Sequence, residues 1–150
     1  MHALKLLRLP PRIKVLEALG AIADERIKVL DEFNAEVISS EGDRVYKVFA
    51  DLSRGIVDSS DNGTTYRGYV GYPIISFLMI KGVLPYDERL AKALKNIKWR
   101  ELNERFKNYS AVEEIVYLEA ERRGVARRDL EIFVSHVMDV LKNLKLYRRS

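Results

Sequence analysis

Between Arg44 and Tyr72, five of the chain's thirteen Tyr and Phe residues (Tyr46, Phe49, Tyr66, Tyr69 and Tyr72) are interleaved with three cations, Lys47, Arg54 and Arg67. Rings beside cations on a sheet or its rim suit a flexible, anionic, base-bearing polymer: bases stack on the rings and phosphates meet the cations. The same rings would also serve as the core of a small sheet, because Tyr and Phe favour strands whatever their task. A second basic run lies at 89–107, where Arg89, Lys92, Lys95, Lys98, Arg100, Arg105 and Lys107 stand against Glu101 and Glu104. That surplus reads as a footprint for a polyanion, or as a solvated helix face balanced by acids elsewhere. Trp99, between Lys98 and Arg100, is either a core anchor or a stacking platform at a basic rim.

Reacting groups are scarce. His2 is terminal, and His136 reads as a helix-surface or interface residue rather than a base. Cysteine is absent, which excludes disulfides and thiolate-bound zinc. The chain contains no phosphate-binding glycine loop, dinucleotide fingerprint or Gly-x-Ser-x-Gly elbow. Asp58, Ser60, Asn62 and Gly63 match the first positions of a calcium loop, but Tyr69 stands where its bidentate glutamate belongs. The spacing of a SWIM zinc finger falls on Asp58, Ser60, Gly71 and Pro73, none of which offers thiolate or imidazole. We therefore expect no catalytic residue, metal, cofactor or small-molecule substrate.

The elements that must position these residues follow from periodicity. Pro10 and Pro11 open a helix at Arg12, with Ile13, Leu16, Leu19 and Ile22 at helical spacing. Segments 26–30, 35–40, 44–51 and 55–60 read as four short strands joined by tight turns, an antiparallel meander. On the third, Lys47 and Phe49 share one face, Tyr46 and Val48 the other. Gly68 and Gly71 argue against a regular strand over 64–72 and would allow close backbone approach. Pro73 starts a helix without a polar face, hence a buried one. Helices follow from Asp87, through WRELNERF, and from a capping box of Ser110 and Glu113. The last runs from about Ala126 to Tyr147, with Leu130, Phe133, Val137, Val140, Leu144 and Tyr147 at the a/d spacing of a coiled coil. The expected fold is α+β: an N-terminal helix, a four-stranded meander, a helical layer and a long C-terminal dimerisation helix. We divide it into an α+β domain at 1–108 and a helical hairpin at 109–150.

Bulk properties fit a globular chain of 150 residues, 47% hydrophobic and 32% charged. Missing Cys and Gln with abundant Lys, Arg and Glu suggests a thermophile. The net charge of +4 is uneven: the first 75 residues carry ten Lys and Arg against eleven Asp and Glu, the last 75 sixteen against eleven. No apolar run approaches the roughly 18 residues of a membrane span, and the start is a poor signal peptide, so a cytoplasmic protein away from membranes is expected.

Taken with YKVF (46–49), TTYRGYVGYP (64–73), KNIKWRELNERFK (95–107) and the seam from Leu130 to Tyr147, this arrangement resembles ThermoDBP, the single-stranded-DNA-binding family of Thermoproteales. The resemblance implies an archaeal protein with a non-OB fold, a cleft with an apolar floor and basic flanks, and a dimerising C-terminal helix. It implies sequence-independent binding that protects single-stranded DNA in replication and repair. The interleaving nominates Tyr46, Phe49, Tyr66, Tyr69, Tyr72 and Trp99 as stackers. It nominates Lys47, Arg54, Arg67, Lys95, Lys98 and Arg100 as phosphate contacts. An RNA-binding protein and a protein–protein adaptor joining a partner coiled coil are the competing readings.

Overall fold

The computed structural model describes residues 3–149. In chain order the strands are β1 (Leu4–Leu6), β2 (Ile27–Val29), β3 (Asn34–Ile38), β4 (Val45–Asp51), β5 (Ile56–Ser59) and β6 (Tyr147–Arg149). The helices are α1 (Ile13–Ala23), α2 (Asn62–Thr65), α3 (Tyr72–Ile80), α4 (Glu88–Lys92), α5 (Trp99–Phe106), α6 (Tyr109–Arg122) and α7 (Arg127–Leu144). The protein is thus a mixed α+β molecule with a long helix near its C-terminus.

All six strands form one sheet in the order β1-β6-β5-β4-β3-β2. Strands β2 to β5 lie side by side, antiparallel, with Val37 opposite Tyr46 and Ala35 opposite Val48. The side-chain period of two then divides the faces: Ala35, Val37, Val48 and Ala50 are buried, while Glu36, Lys47 and Phe49 face away. The sheet is larger than the four strands expected. Strand β6 pairs parallel with β5 and antiparallel with β1, so the two ends of the described chain meet beside the meander strands. Three-residue strands such as LKL and YRR have no alternation long enough to be read. His2 lies outside the described residues.

Helix α3 is apolar all round because it is buried all round: Pro73 to Met79 are inaccessible, and the helix lies against β2, β4 and β5. Burying a side chain such as Phe77 or Ile74 contributes about 1.5–3 kcal/mol. On α3 packs α1, itself buried at Ile13 and from Val15 to Ala21, and α1 in turn meets α4 and α7. This stacking explains where the heptad residues go. Leu130, Phe133 and Val137 are buried in the same core cluster as α1 and α3; Val140 and Leu144 are packed against it. Tyr147 leaves the helix altogether, because Lys145 turns left-handed (φ 53°) and the chain enters β6. The stripe read as a dimer seam thus covers its own protomer's core. Residues on both sides of position 108 belong to that one cluster.

Helix α6 starts differently from the capping box expected. Asn108 is its N-cap, its side chain accepting from the backbone N–H of Ser110 and Ala111. No helix among the described residues is long and apolar enough to cross a membrane.

Candidate nucleic-acid interface

A cleft of about 520 Å³ opens where β4, α1, α3 and α5 converge. Its lining includes Tyr46 and Tyr72, whose rings meet edge to face at 6.2 Å between centroids. Tyr46 arrives from the inner face of β4, Tyr72 from the first turn of α3. That turn begins at Gly71, where a Cβ would lie 2.3 Å from the Asp61 carboxylate; glycine is needed for the close approach. Asp61 in turn caps α2 through the Thr64 N–H. Arg26 lies beside the Tyr72 ring and donates to the Ile38 carbonyl at 2.7 Å and the Tyr72 hydroxyl at 3.4 Å. Burial pushes the Tyr72 hydroxyl up to about 12.

The cleft floor carries a buried ion pair. Glu17, 3% exposed, accepts from Lys14 at 3.0 Å and from the Asn103 amide at 2.9 Å. Burial works against the Lys14 charge, but Glu17, then Tyr69 and Tyr109, hold its pKa above the usual lysine range. Trp99 and Arg100 enter from the first turn of α5. Trp99 is 3% exposed, its indole edge fitted against Gly20, where a Cβ would stand 2.7 Å from Nε1. Arg100 is held by both oxygens of Asp43 at 2.7 Å and by Glu41 at 3.1 Å. Those bonds from Arg100, with one from Ser39, keep the Asp43 carboxyl well below the usual range.

Two further hollows adjoin the cleft. One of about 300 Å³, walled by β1, the loop after α2 and Arg148, shares Arg67 with the cleft. One of about 440 Å³ on the outer sheet face holds Lys47, Phe49 and Asp58, and shares Thr65 and Arg148 with the second. The three thus follow one another as a band, Arg67 lining the first and second and Thr65 and Arg148 the second and third. Its lining carries nine cations against three carboxylates, Glu17, Asp58 and Glu104. Two of those are paired inside the band, Glu17 with Lys14 and Asp58 with Arg148 at 2.6 Å. Among the described residues, no carboxylate pairs with Lys5, Arg8, Lys47, Arg67 or Lys107. Tyr66 stands on the middle hollow with 81% of its surface exposed.

The band gathers Tyr46, Lys47, Phe49, Tyr66, Arg67, Tyr72, Trp99 and Arg100 of the residues read from sequence. The structure gives several of the residues read from sequence other engagements. Trp99 offers an edge but no free ring face, and Arg100 spends its guanidinium on Asp43 and Glu41. Tyr69 is 8% exposed, packed against Gly63, so its ring has no face for a base. Arg54 is bound to Asp51 at 2.7 Å beside the β4–β5 turn. Lys98 lines a separate groove between α5 and α6, and neither Lys98 nor Lys95 is among the residues that line the cleft. Phe49 is on the outer face, half-covered by Phe33 at 6.3 Å. Of the calcium-loop residues, Asp58 serves Arg148 from β5 and the 62–65 stretch is helical. His136 is exposed on α7. Lys5, Arg8, Lys14, Arg26 and Arg148 stand outside the stretches singled out in the sequence; Lys14 and Arg26 line the cleft, and the pairing of β1 with β6 sets Lys5 beside Arg148 at the middle hollow.

These features define an α+β protein with a basic, aromatic-studded band across one end of its sheet. The chain belongs to the family described as Uncharacterised conserved protein UCP014422, whose model matches residues 7–147. No curated protein and no solved structure matches it.

Proposed function

We propose that this protein binds single-stranded DNA along the band, with little regard to sequence, as the resemblance to ThermoDBP implies. The observation that carries the reading is the succession of three hollows that share Arg67 and Arg148 as lining residues, with cations that lack a carboxylate partner and one freely exposed tyrosine along them. A single strand has the two properties such a track recognises: a phosphate on every nucleotide and a ring that stacks without regard to identity. A duplex hides its ring faces, and hollows of this size would accept its backbone only.

Tyr66 supplies the stacking face and Tyr46 and Tyr72 the walls of the cleft. Lys5, Arg8, Lys47, Arg67 and Lys107 meet phosphates. In this reading the protein supplies shelter rather than chemistry, without metal or cofactor, in the cytoplasm of a thermophile. The test is fluorescence anisotropy of a labelled mixed-sequence 20-mer, single-stranded against duplex, at two salt concentrations. Micromolar or tighter binding to the single strand, weaker to the duplex and fading with salt, is expected. Equal affinity for duplex, or no binding at low salt, would remove the proposal. An RNA strand of the same sequence decides the polymer, since the 2′-hydroxyl is the one group that differs along the backbone.

A further inference from the structure

Resting on the nucleic-acid reading, we propose that the middle hollow of the band is a pocket for a terminal phosphate, so that the protein holds the phosphorylated end of a single strand in preference to its interior. Four cations, Lys5, Arg8, Arg67 and Arg148, line this hollow of about 300 Å³, and no carboxylate is among its lining residues. They come from β1, the segment after it, the loop after α2, and β6. The fold gathers them; no basic run in the sequence does.

That gathering works against stability. Lys5 and Arg148 are register partners in the β1–β6 ladder, directly opposite one another, so their side chains rise from the same face of the sheet. Like charges placed opposite each other on an antiparallel pair are destabilising. Arg8 donates to the Arg67 carbonyl, which sets the third charge against the backbone of the fourth. Of the four, Arg148 alone has a carboxylate partner among the described residues, Asp58 at 2.6 Å, which lines the outer hollow next door. Three positive charges are therefore left without a counter-charge in a small space, and a bound anion would supply it.

The charge to be matched selects the anion. A phosphodiester inside a strand carries a single negative charge. A terminal phosphate carries about −1.5 to −2 at pH 7 and offers three strong acceptor oxygens. Cations approaching from separate elements match those oxygens one by one, each through a charge-assisted bond. The neighbouring ring agrees. The base at the end of a strand has one face with no neighbour to stack on, and Tyr66, 81% exposed on this hollow, can cover it. From there the strand leaves past Arg67 into the cleft or past Arg148 onto the outer hollow.

The test measures the anisotropy of internally labelled mixed-sequence 20-mers on the full chain. They end in a 5′-phosphate, a 3′-phosphate, hydroxyls at both ends, or the methyl ester of the end phosphate, which has the single charge of a diester. A strand phosphorylated at one of its ends should bind about tenfold tighter than the hydroxyl-ended strand, and its methyl ester should lose most of that gain. Lys5→Ala should abolish the preference; Lys5 is exposed and opposes Arg148, so the variant should fold. Lys47→Ala, in the outer hollow, should weaken phosphorylated and hydroxyl-ended strands by the same factor. Equal affinity for all four strands would remove the pocket and leave the proposed function intact. A preference that survives Lys5→Ala would overturn the assignment to this hollow. No binding of any 20-mer would remove the proposed function, and this inference with it.

Discussion

Tyr66 and Tyr69 share a loop, yet one ring is 81% exposed and the other 8%. Replacing each by alanine should therefore separate binding from stability. Tyr66→Ala should weaken single-strand binding by about 1–3 kcal/mol and leave the melting temperature in place. Tyr69→Ala should lower stability by about 3–5 kcal/mol, as for a large buried ring. A Tyr66→Ala protein with unchanged affinity would take that ring off the band. Tyr72 offers a different readout. Burial raises its folded-state pKa from 10.0 to about 12, so the folded protein keeps a proton that the unfolded chain gives up. Its contribution is complete below the unfolded value and is lost as pH rises from about 10 through 12. Denaturant melts across that window should show stability falling with pH, and Tyr72→Phe should make the fall shallower.

At the scale of elements, α7 is the informative case. Its apolar residues recur at 3, 4, 3, 4, a spacing that serves a partner helix and a home core equally well. Leu130, with no exposed surface, decides the matter within the chain. Leu130→Ala should cost about 2–5 kcal/mol of stability, and sedimentation should show the same mass before and after. A change of oligomeric state without loss of stability would restore the seam. This case also shows what the sequence could convey. The helices other than the one-turn α2 and the strands β2 to β5 were legible, because each carries a local period and punctuating Gly, Pro or Asp. Alternation also separated Lys47 and Phe49 from Tyr46 and Val48 correctly. What no local pattern conveys is which neighbour claims a side chain. Arg54, Arg100 and Lys98 read alike, as cations near rings; Asp51, Asp43 and the α5–α6 groove take them for other purposes. The start of α6 was hidden for a similar reason: Asn108 and Ser110 are both good caps, and backbone geometry chose the first.

For the molecule as a whole, binding should report the number of unpaired cations on the band. Five of them (Lys5, Arg8, Lys47, Arg67 and Lys107) lack a carboxylate partner among the described residues. If each meets one phosphate, the logarithm of affinity should fall against the logarithm of salt with a slope of about −3 to −4 on a single strand. Arg67→Ala should flatten that slope by a little under one and weaken every sequence alike. A slope near zero would mean that rings alone hold the strand, and that the charge on the band is incidental.

The pairing of β1 with β6 joins Leu6 to Tyr147 across nearly the whole chain, in a ladder of three register pairs at the margin of the sheet. Leu4 and Leu6 stay half exposed there, so little apolar burial secures it. Such a clasp belongs to the regions that open first in native-state hydrogen exchange, long before the α1–α3 core lets go. Its residues Lys5, Leu6 and Arg148 also wall the middle hollow of the band. A strand lying there would bridge β1 and β6, and the amides of residues 4–6 and 147–149 would exchange more slowly when it is bound. The protein would then grip its ligand with the part of itself that is least firmly folded, and the ligand would finish the folding.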